Sequence, residues 1–341
     1  MKIRILTIDG GGAKGIVPAI ILQYIENKII EITGNPRVYL SDFLDFIAGT
    51  ASGSLTSTML ITPDTNGKPA YKTGEIIDNL FEFASVYYQK KEWKTLWGLL
   101  GAAYPQEQVN NKHIEIFDHW KMNDLLLPTA IPGYDILNRQ PVIFTNKDRL
   151  DRYGNLFAND VVRGSCASPG WINPVEFRDG IYKNVIINGN VIANNPSMIA
   201  YIEAGKTPSL IEKFKQITPN NTLLISLGAG QTKFTGFSVD KVKRWNKGKW
   251  FELFTSINIQ STTVIPEYQT RSLFKSYDAE ENYIRIDPFI QIGSSQIMNT
   301  SNHNMKNLLQ DAYNYIERNT TILDNIAEQL IKESIIYKSL I

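Results

Sequence analysis

The sequence predicts an α/β protein three layers deep, α/β/α, with a mostly parallel central sheet and a C-terminal helical segment. Three observations carry that expectation. Short apolar runs bounded by Gly, Pro, Asn or Asp recur along the chain. Segments with apolar residues at helical spacing lie between them. At two places a strand-like run ends in glycines and a helical pattern begins at once. Strands that alternate with helices place a sheet between helical layers.

The elements follow in order. Residues 2–8 are β-branched and apolar, which suits a strand, and 15–32 have helical spacing through Ile16, Ala19, Ile20, Leu22, Ile25 and Ile29. Residues 43–48 supply a second strand and 54–60 open the helix after it. Further strands are expected at 140–144, 182–187, 222–227 and 283–286, and Asp179-Gly180 marks a hairpin turn. Residues 304–318 and 322–336 read as amphipathic helices. No repeat or low-complexity linker divides the chain, so we expect one domain over 1–290 with a helical segment, 291–341, packed on it.

Composition narrows the function classes. The chain has 341 residues, 43% hydrophobic and 20% charged, enough for a full core. A formal net charge of +1 gives no global basic field, so nucleic acid is not an expected partner. One cysteine, Cys166, excludes an internal disulfide framework and fits a reducing compartment. The first residues have too little apolar length for a secretory signal, and no apolar run of about 18 residues is present. We expect a cytoplasmic protein, and the wealth of Asn, Ile and Lys suggests an AT-rich bacterial source. No His, Cys or carboxylate cluster has metal-ligand spacing, so no metal or cofactor is expected.

Two glycine frames carry the chemistry. Gly49-Thr50-Ala51-Ser52-Gly53 has the form of a nucleophile elbow, G-x-S-x-G, with alanine where the serine belongs. Asp9-Gly10-Gly11-Gly12-Ala13-Lys14-Gly15 joins a strand to a helix, and its amides can gather around an anion at the helix start. It fits neither a dinucleotide fingerprint nor a P-loop.

Downstream, Asn188-Gly189 precedes Asn194-Asn195-Pro196, with Arg163-Gly164-Ser165-Cys166-Ala167-Ser168-Pro169 before it and Ser226-Leu227-Gly228-Ala229-Gly230 after it. In this order the motifs resemble the patatin-like phospholipase family. The resemblance implies a patatin-like fold and a lipid acyl hydrolase of the phospholipase A type, working through a Ser-Asp dyad without histidine. It implies an oxyanion hole formed by Gly10, Gly11, Gly12, Ala13 and Lys14. In that frame Ala51 takes the nucleophile position, Asn188 the aspartate position, and Gly49 and Gly53 are the elbow glycines.

Both departures keep shape and remove chemistry. Alanine cannot attack a carbonyl, and asparagine cannot accept the serine proton. We therefore expect the chain as written to be inactive, and read the pair as deliberate inactivation of an active enzyme. The alternative is a natural pseudoenzyme that binds lipid or a nucleotide signal. An acyltransferase is disfavoured because no histidine precedes Ala51. Ser52 and Ser54 flank the elbow but are expected to point away from the cleft. His113, His119 and His303 lie outside every motif and read as surface or helix residues.

Residues 87–100 and 241–251 mix Lys and Arg with Trp and Phe, a pattern that fits a solvated helix face with its aromatics in the core and equally a contact with a phospholipid membrane surface or another anionic partner. Peripheral attachment to the inner membrane in an active state follows from that reading. The outline is also similar to cyclic-oligonucleotide-activated anti-phage phospholipases, which implies a cyclic dinucleotide as activator and leaves an oligomer open.

Overall fold

The structure, a computed structural model, describes residues 1–88, 104, 106–117, 119–146, 152–179, 182–232, 236–294 and 296–334. β1 (Ile3–Ile8) leads through a 3-10 turn (Gly12–Gly15) into α1 (Ile16–Thr33). β2 (Phe46–Gly49) leads straight into α2 (Ser52–Ile61). Two helices follow, α3 (Thr73–Tyr88) and α4 (Gln106–Phe117), then β3 (Thr129–Asp135), β4 (Gln140–Thr145) and α5 (Ala158–Cys166). Next come β5 (Val175–Asp179), β6 (Tyr182–Ile187), α6 (Ser197–Ala204), α7 (Pro208–Phe214) and β7 (Thr222–Leu227). The described chain continues with α8 (Val239–Val242), α9 (Lys247–Lys275), β8 (Tyr283–Ile286), α10 (Asn302–Arg318) and α11 (Thr320–Lys332).

The described strands form one sheet in the order β5-β6-β3-β2-β1-β7-β8, with β4 paired to β3. Pairings around β1 are parallel, as are β2 with β3 and β7 with β8. The β3–β4, β3–β6 and β5–β6 pairs are antiparallel. The sheet is thus mostly parallel, as its sequence predicts.

Period-two alternation sends the strand side chains to two cores. Leu6 and Ile8 of β1, Ile47 of β2 and Ile225 of β7 pack with Ile16, Ile20 and Ile29 of α1, Leu308 of α10 and Leu330 of α11. Ile3 and Ile5, Phe46 and Leu224 face the other way, against Ala200 and Ala204 of α6 and Phe274 of α9. The two C-terminal helices therefore share a core with the first helix of the chain.

Differences from the sequence reading are local. The expected strand at 43–48 begins as a 3-10 turn (Leu40–Phe43) and pairs only from Phe46, since Asp45 is taken by Arg4 and Lys213. The final helix ends at Lys332, short of 336. β3 was missed because Pro132 and Gly133 interrupt its apolar run, and α9 because Thr, Ser and Asn dilute its pattern.

At the β2–α2 junction the main chain touches itself. A Cβ on Gly49 would lie 2.3 Å from Gly53 O, and one on Gly53 would lie 2.2 Å from Ile8 O. Both contacts are with backbone, which cannot swing aside. Gly53→Ala is therefore expected to lower stability by about 1–3 kcal/mol. Thermal denaturation should show a Tm lower by several degrees, whereas an unchanged Tm would mean that β1 and α2 can separate freely.

Candidate active site

The elbow takes the conformation that its glycines allow. Ala51 has φ 50° and ψ −121°, a positive-φ geometry that a residue with a Cβ rarely adopts. Its amide donates to Ser165 Oγ at 3.0 Å, and its carbonyl accepts from Ser54 Oγ at 2.6 Å. Thr50 N–H donates to Ile8 O, and the Thr50 hydroxyl donates to Ala193 O. Such strain, of order 1–3 kcal/mol, persists only where neighbours over-determine the backbone.

The parallel register of β1 and β2 pairs Ile8 with Gly49, so the two glycine turns emerge side by side. In the first turn Gly12 has φ +56°, and a Cβ there would meet Ile297 O at 2.2 Å. Gly10 N–H donates to Asn194 O, Gly11 N–H to Ser52 Oγ and Ala13 N–H to Ile297 O. Among the described residues Gly12 N–H has no acceptor, so it is the amide of this loop that is open to an anion. Gly11 N–H joins it when the Ser52 hydroxyl turns away.

Charged groups anchor this loop from behind. Asp9 accepts two bonds from the Arg285 guanidinium, at 2.9 and 2.6 Å. Burial pushes the Asp9 carboxyl up to about 7, and Arg285 pulls against that rise. Lys14 Nζ donates to Gly230 O at 2.9 Å, and burial lowers its pKa. Lys14 therefore holds the loop rather than facing a substrate. Arg285 stands in the expected strand at 283–286, and its partnership with Asp9 emerges only from the fold.

Asn188 caps the 3-10 turn Gly189–Val191: its Oδ1 accepts from Asn190 N–H at 2.8 Å, and its Nδ2 donates to Ser168 Oγ. An aspartate would fit here without rearrangement, accepting from the same amide and from the Ser168 hydroxyl. Asp179, the other D-G aspartate, ends β5 opposite Tyr182, as the hairpin reading expects.

Ala51, Ser52, Gly12, Ala13, Ser168 and Asn188 all line one cavity of about 90 Å³. Its remaining wall is mainly apolar, with Ile16, Leu55, Leu80, Phe83, Ile172, Met298 and Met305. That lining suits an alkyl chain, beside polar groups gathered at one place. Among the described residues no group of three or more His, Cys, Asp or Glu could hold a metal ion.

Two expectations are corrected here. The Ser52 side chain lines the cavity and binds the glycine loop, instead of pointing along the helix, because Gly15 leaves no side chain in its way. His113 is a helix residue, in α4, as one of its two readings expects, but not a surface one: it is fully buried in the cavity wall, edge-on to Phe83 at 4.9 Å. Neither ring nitrogen has a partner among the described residues, and burial pushes its pKa down to about 3. Helical spacing cannot reveal this, since the cavity is assembled from α3, α4 and the loop before α10. Cys166 also borders the cavity, and burial pushes its thiol up to about 12, which leaves little thiolate for attack.

Of the two interfacial stretches, residues 89–100 lie outside the described residues. The second spans α8 and the start of α9, with Lys241, Lys243, Arg244, Lys247 and Lys249 exposed.

Comparison with known proteins agrees with this geometry. The family model described as patatin-like phospholipase matches residues 6–201. Patatin-like protein 4 of Arabidopsis thaliana is 29% identical over 303 residues, covering 84% of this chain and 76% of that protein. Patatin-T5 of Solanum tuberosum is 25% identical over 346 residues, covering 98% of this chain and 84% of its own length. A third relative, "Probable inactive patatin-3-Kuras 1" of the same plant, is 26% identical over 345 residues, with 98% and 87% covered.

The buried imidazole has a consequence for acid stability. The unfolded chain protonates His113 near its ordinary pKa of 6.5 and the folded chain only near 3, so stability is lost as pH falls between those values. The loss approaches about 1.4 kcal/mol per pH unit. His113→Phe should flatten the fall of Tm between pH 6.5 and 4; an identical acid limb in the variant would show that the ring is already protonated in the fold.

Proposed function

The chain belongs to the patatin-like phospholipase family, and on that premise we propose that its cavity is the site of a serine lipid acyl hydrolase from which both dyad groups have been removed. One observation carries the reading. A non-glycine residue at φ 50° and ψ −121° sits at the end of a parallel strand and lines the same cavity as Gly12 and Asn188. That strain serves a side chain that must project into a cleft, and a methyl group makes no use of it.

In the active form a serine at 51 attacks the ester carbonyl and an aspartate at 188 accepts its proton. The carbonyl oxygen, now negative, takes the amide of Gly12, with Gly11 as second donor once Ser52 releases it. The alkyl chain lies along the apolar wall. The adduct collapses to an acyl-serine as the ester C–O bond breaks and the alcohol leaves with the proton held by the aspartate; water then gives a proton to the same aspartate and attacks the acyl-serine, which releases the fatty acid as the proton returns to the serine oxygen. The neighbouring groups do not replace the missing pair: burial raises the Cys166 thiol, and among the described residues no carboxylate or imidazole is bonded to the Ser52 hydroxyl.

The shape-conserving nature of both replacements supports deliberate inactivation of an active parent. A pseudoenzyme that binds lipid without cleaving it is the second reading, and the potato relative named as inactive gives it a precedent in the family. For regulation, the likeness of the motifs to those of cyclic-oligonucleotide-activated phospholipases supports a bacterial, cyclic-dinucleotide-activated anti-phage effector. Such a protein would be cytoplasmic until activated and then peripheral at the membrane. A ligand acts as an activator only by binding the active state more tightly than the resting one.

Restoring both groups is the direct test. Ala51→Ser with Asn188→Asp should release fatty acid from mixed phospholipids and a chromogenic ester, at least about 10³-fold faster than the chain as written. Ala51→Ser alone should recover far less, for want of a base. A double restoration no faster than the starting chain would favour the pseudoenzyme. Calorimetric titration with cyclic dinucleotides should yield heat of binding; silence across the common ones would remove the proposed activator.

A further inference from the structure

The longest helix of the described chain leaves one face without a partner. On α9 the large apolar side chains Trp250, Phe254, Ile257, Val264, Ile265 and Tyr268 are exposed, Phe254 and Tyr268 to 68%. Their spacing alternates four and three residues, with Ser261 at the intermediate position. At about 3.6 residues per turn this is one narrow stripe, about 27 Å long at 1.5 Å per residue. The opposite face is occupied: Thr262 Oγ1 donates to Asn190 O, Asn194 Nδ2 donates to Thr263 Oγ1, and Thr270 bonds Ser197.

Charge decides what covers the stripe. Lys241, Lys243, Arg244, Lys247 and Lys249 precede or open it, against two acids, Asp240 and Glu252, and exposed Lys275 closes it. Residues 253–266 carry no charge at all. A second copy laid along the stripe would meet like charge in either sense. Parallel pairing sets Lys247 beside its own copy, and centred antiparallel pairing sets Lys243 opposite Lys275. An anionic surface meets the cations and takes up the apolar side chains together. Phe237, Trp245 and Trp250 pack edge to face at 4.8 and 5.5 Å, a preformed aromatic group at the basic end. No described helix is long and apolar enough to cross a membrane, so the contact is in the plane.

We propose that the outward face of α9, with the aromatic group at its start, docks on an anionic lipid surface. The docking depends on neither residue 51 nor residue 188, and it gives the hydrolase reading its route to substrate. The helix that meets lipid on one face holds the segment after Asn188 on the other.

Flotation of the unmodified chain with vesicles tests this, comparing equal parts phosphatidylglycerol and phosphatidylcholine with phosphatidylcholine alone. The chain should float with the anionic vesicles, less so at high salt, and not with the neutral ones. Replacing Lys241, Lys243 and Arg244 by Gln should lower partitioning about a hundredfold, near fivefold for each charge. Phe254→Ser with Tyr268→Ser should lower it at least about tenfold. These sites are exposed, so folding should be unchanged, and the salt dependence needs no variant. Absence of flotation, or flotation indifferent to salt and to both variants, overturns the proposal. So does a concentration-dependent dimer in light scattering that Phe254→Ser with Tyr268→Ser abolishes, because the face would then belong to a second copy. Failure of the restored enzyme on a soluble ester would count against the hydrolase reading alone.

Discussion

The rest of the site depends on how closely three pieces of main chain approach where β1 and β2 end. Gly53 lies against the carbonyl of Ile8, and Gly49 against the carbonyl of Gly53, with no room for a Cβ at either place. This contact brings the start of α2 down onto β1, forces Ala51 into positive φ, and sets the Asp9–Gly15 loop beside it. Ser52 then reaches Gly11 across the gap, and among the described residues the Gly12 amide meets no acceptor. The geometry of the site is thus set by the backbone and does not depend on which side chain stands at 51.

Much of this was legible in the sequence. Glycines at fixed offsets after β-branched strands state a steric requirement, and steric requirements are local. The elbow and the Asp9–Gly15 loop could be named for that reason, and Asn188 through the family resemblance of the motifs around it. The parallel strands showed as apolar runs because both their faces are buried. β3 did not, because a proline and a glycine break its run while neighbours on both sides pair it.

What stayed hidden is long-range. Arg285 neutralises Asp9 from the far end of the chain, and nothing near residue 285 in sequence announces it. His113 resembles any helical histidine until α3 and α4 close over the cavity. The reach of Ser52 depends on Gly15, 37 positions away, being without a side chain. These residues are found by proximity, which a linear pattern does not carry.

Ala51 also shows how firmly the elbow is held. At its φ and ψ a glycine would sit without steric cost, whereas alanine holds strain of order 1–3 kcal/mol. Ser165 fixes its amide and Ser54 its carbonyl, so part of the stability of the fold goes into keeping this one backbone conformation in place.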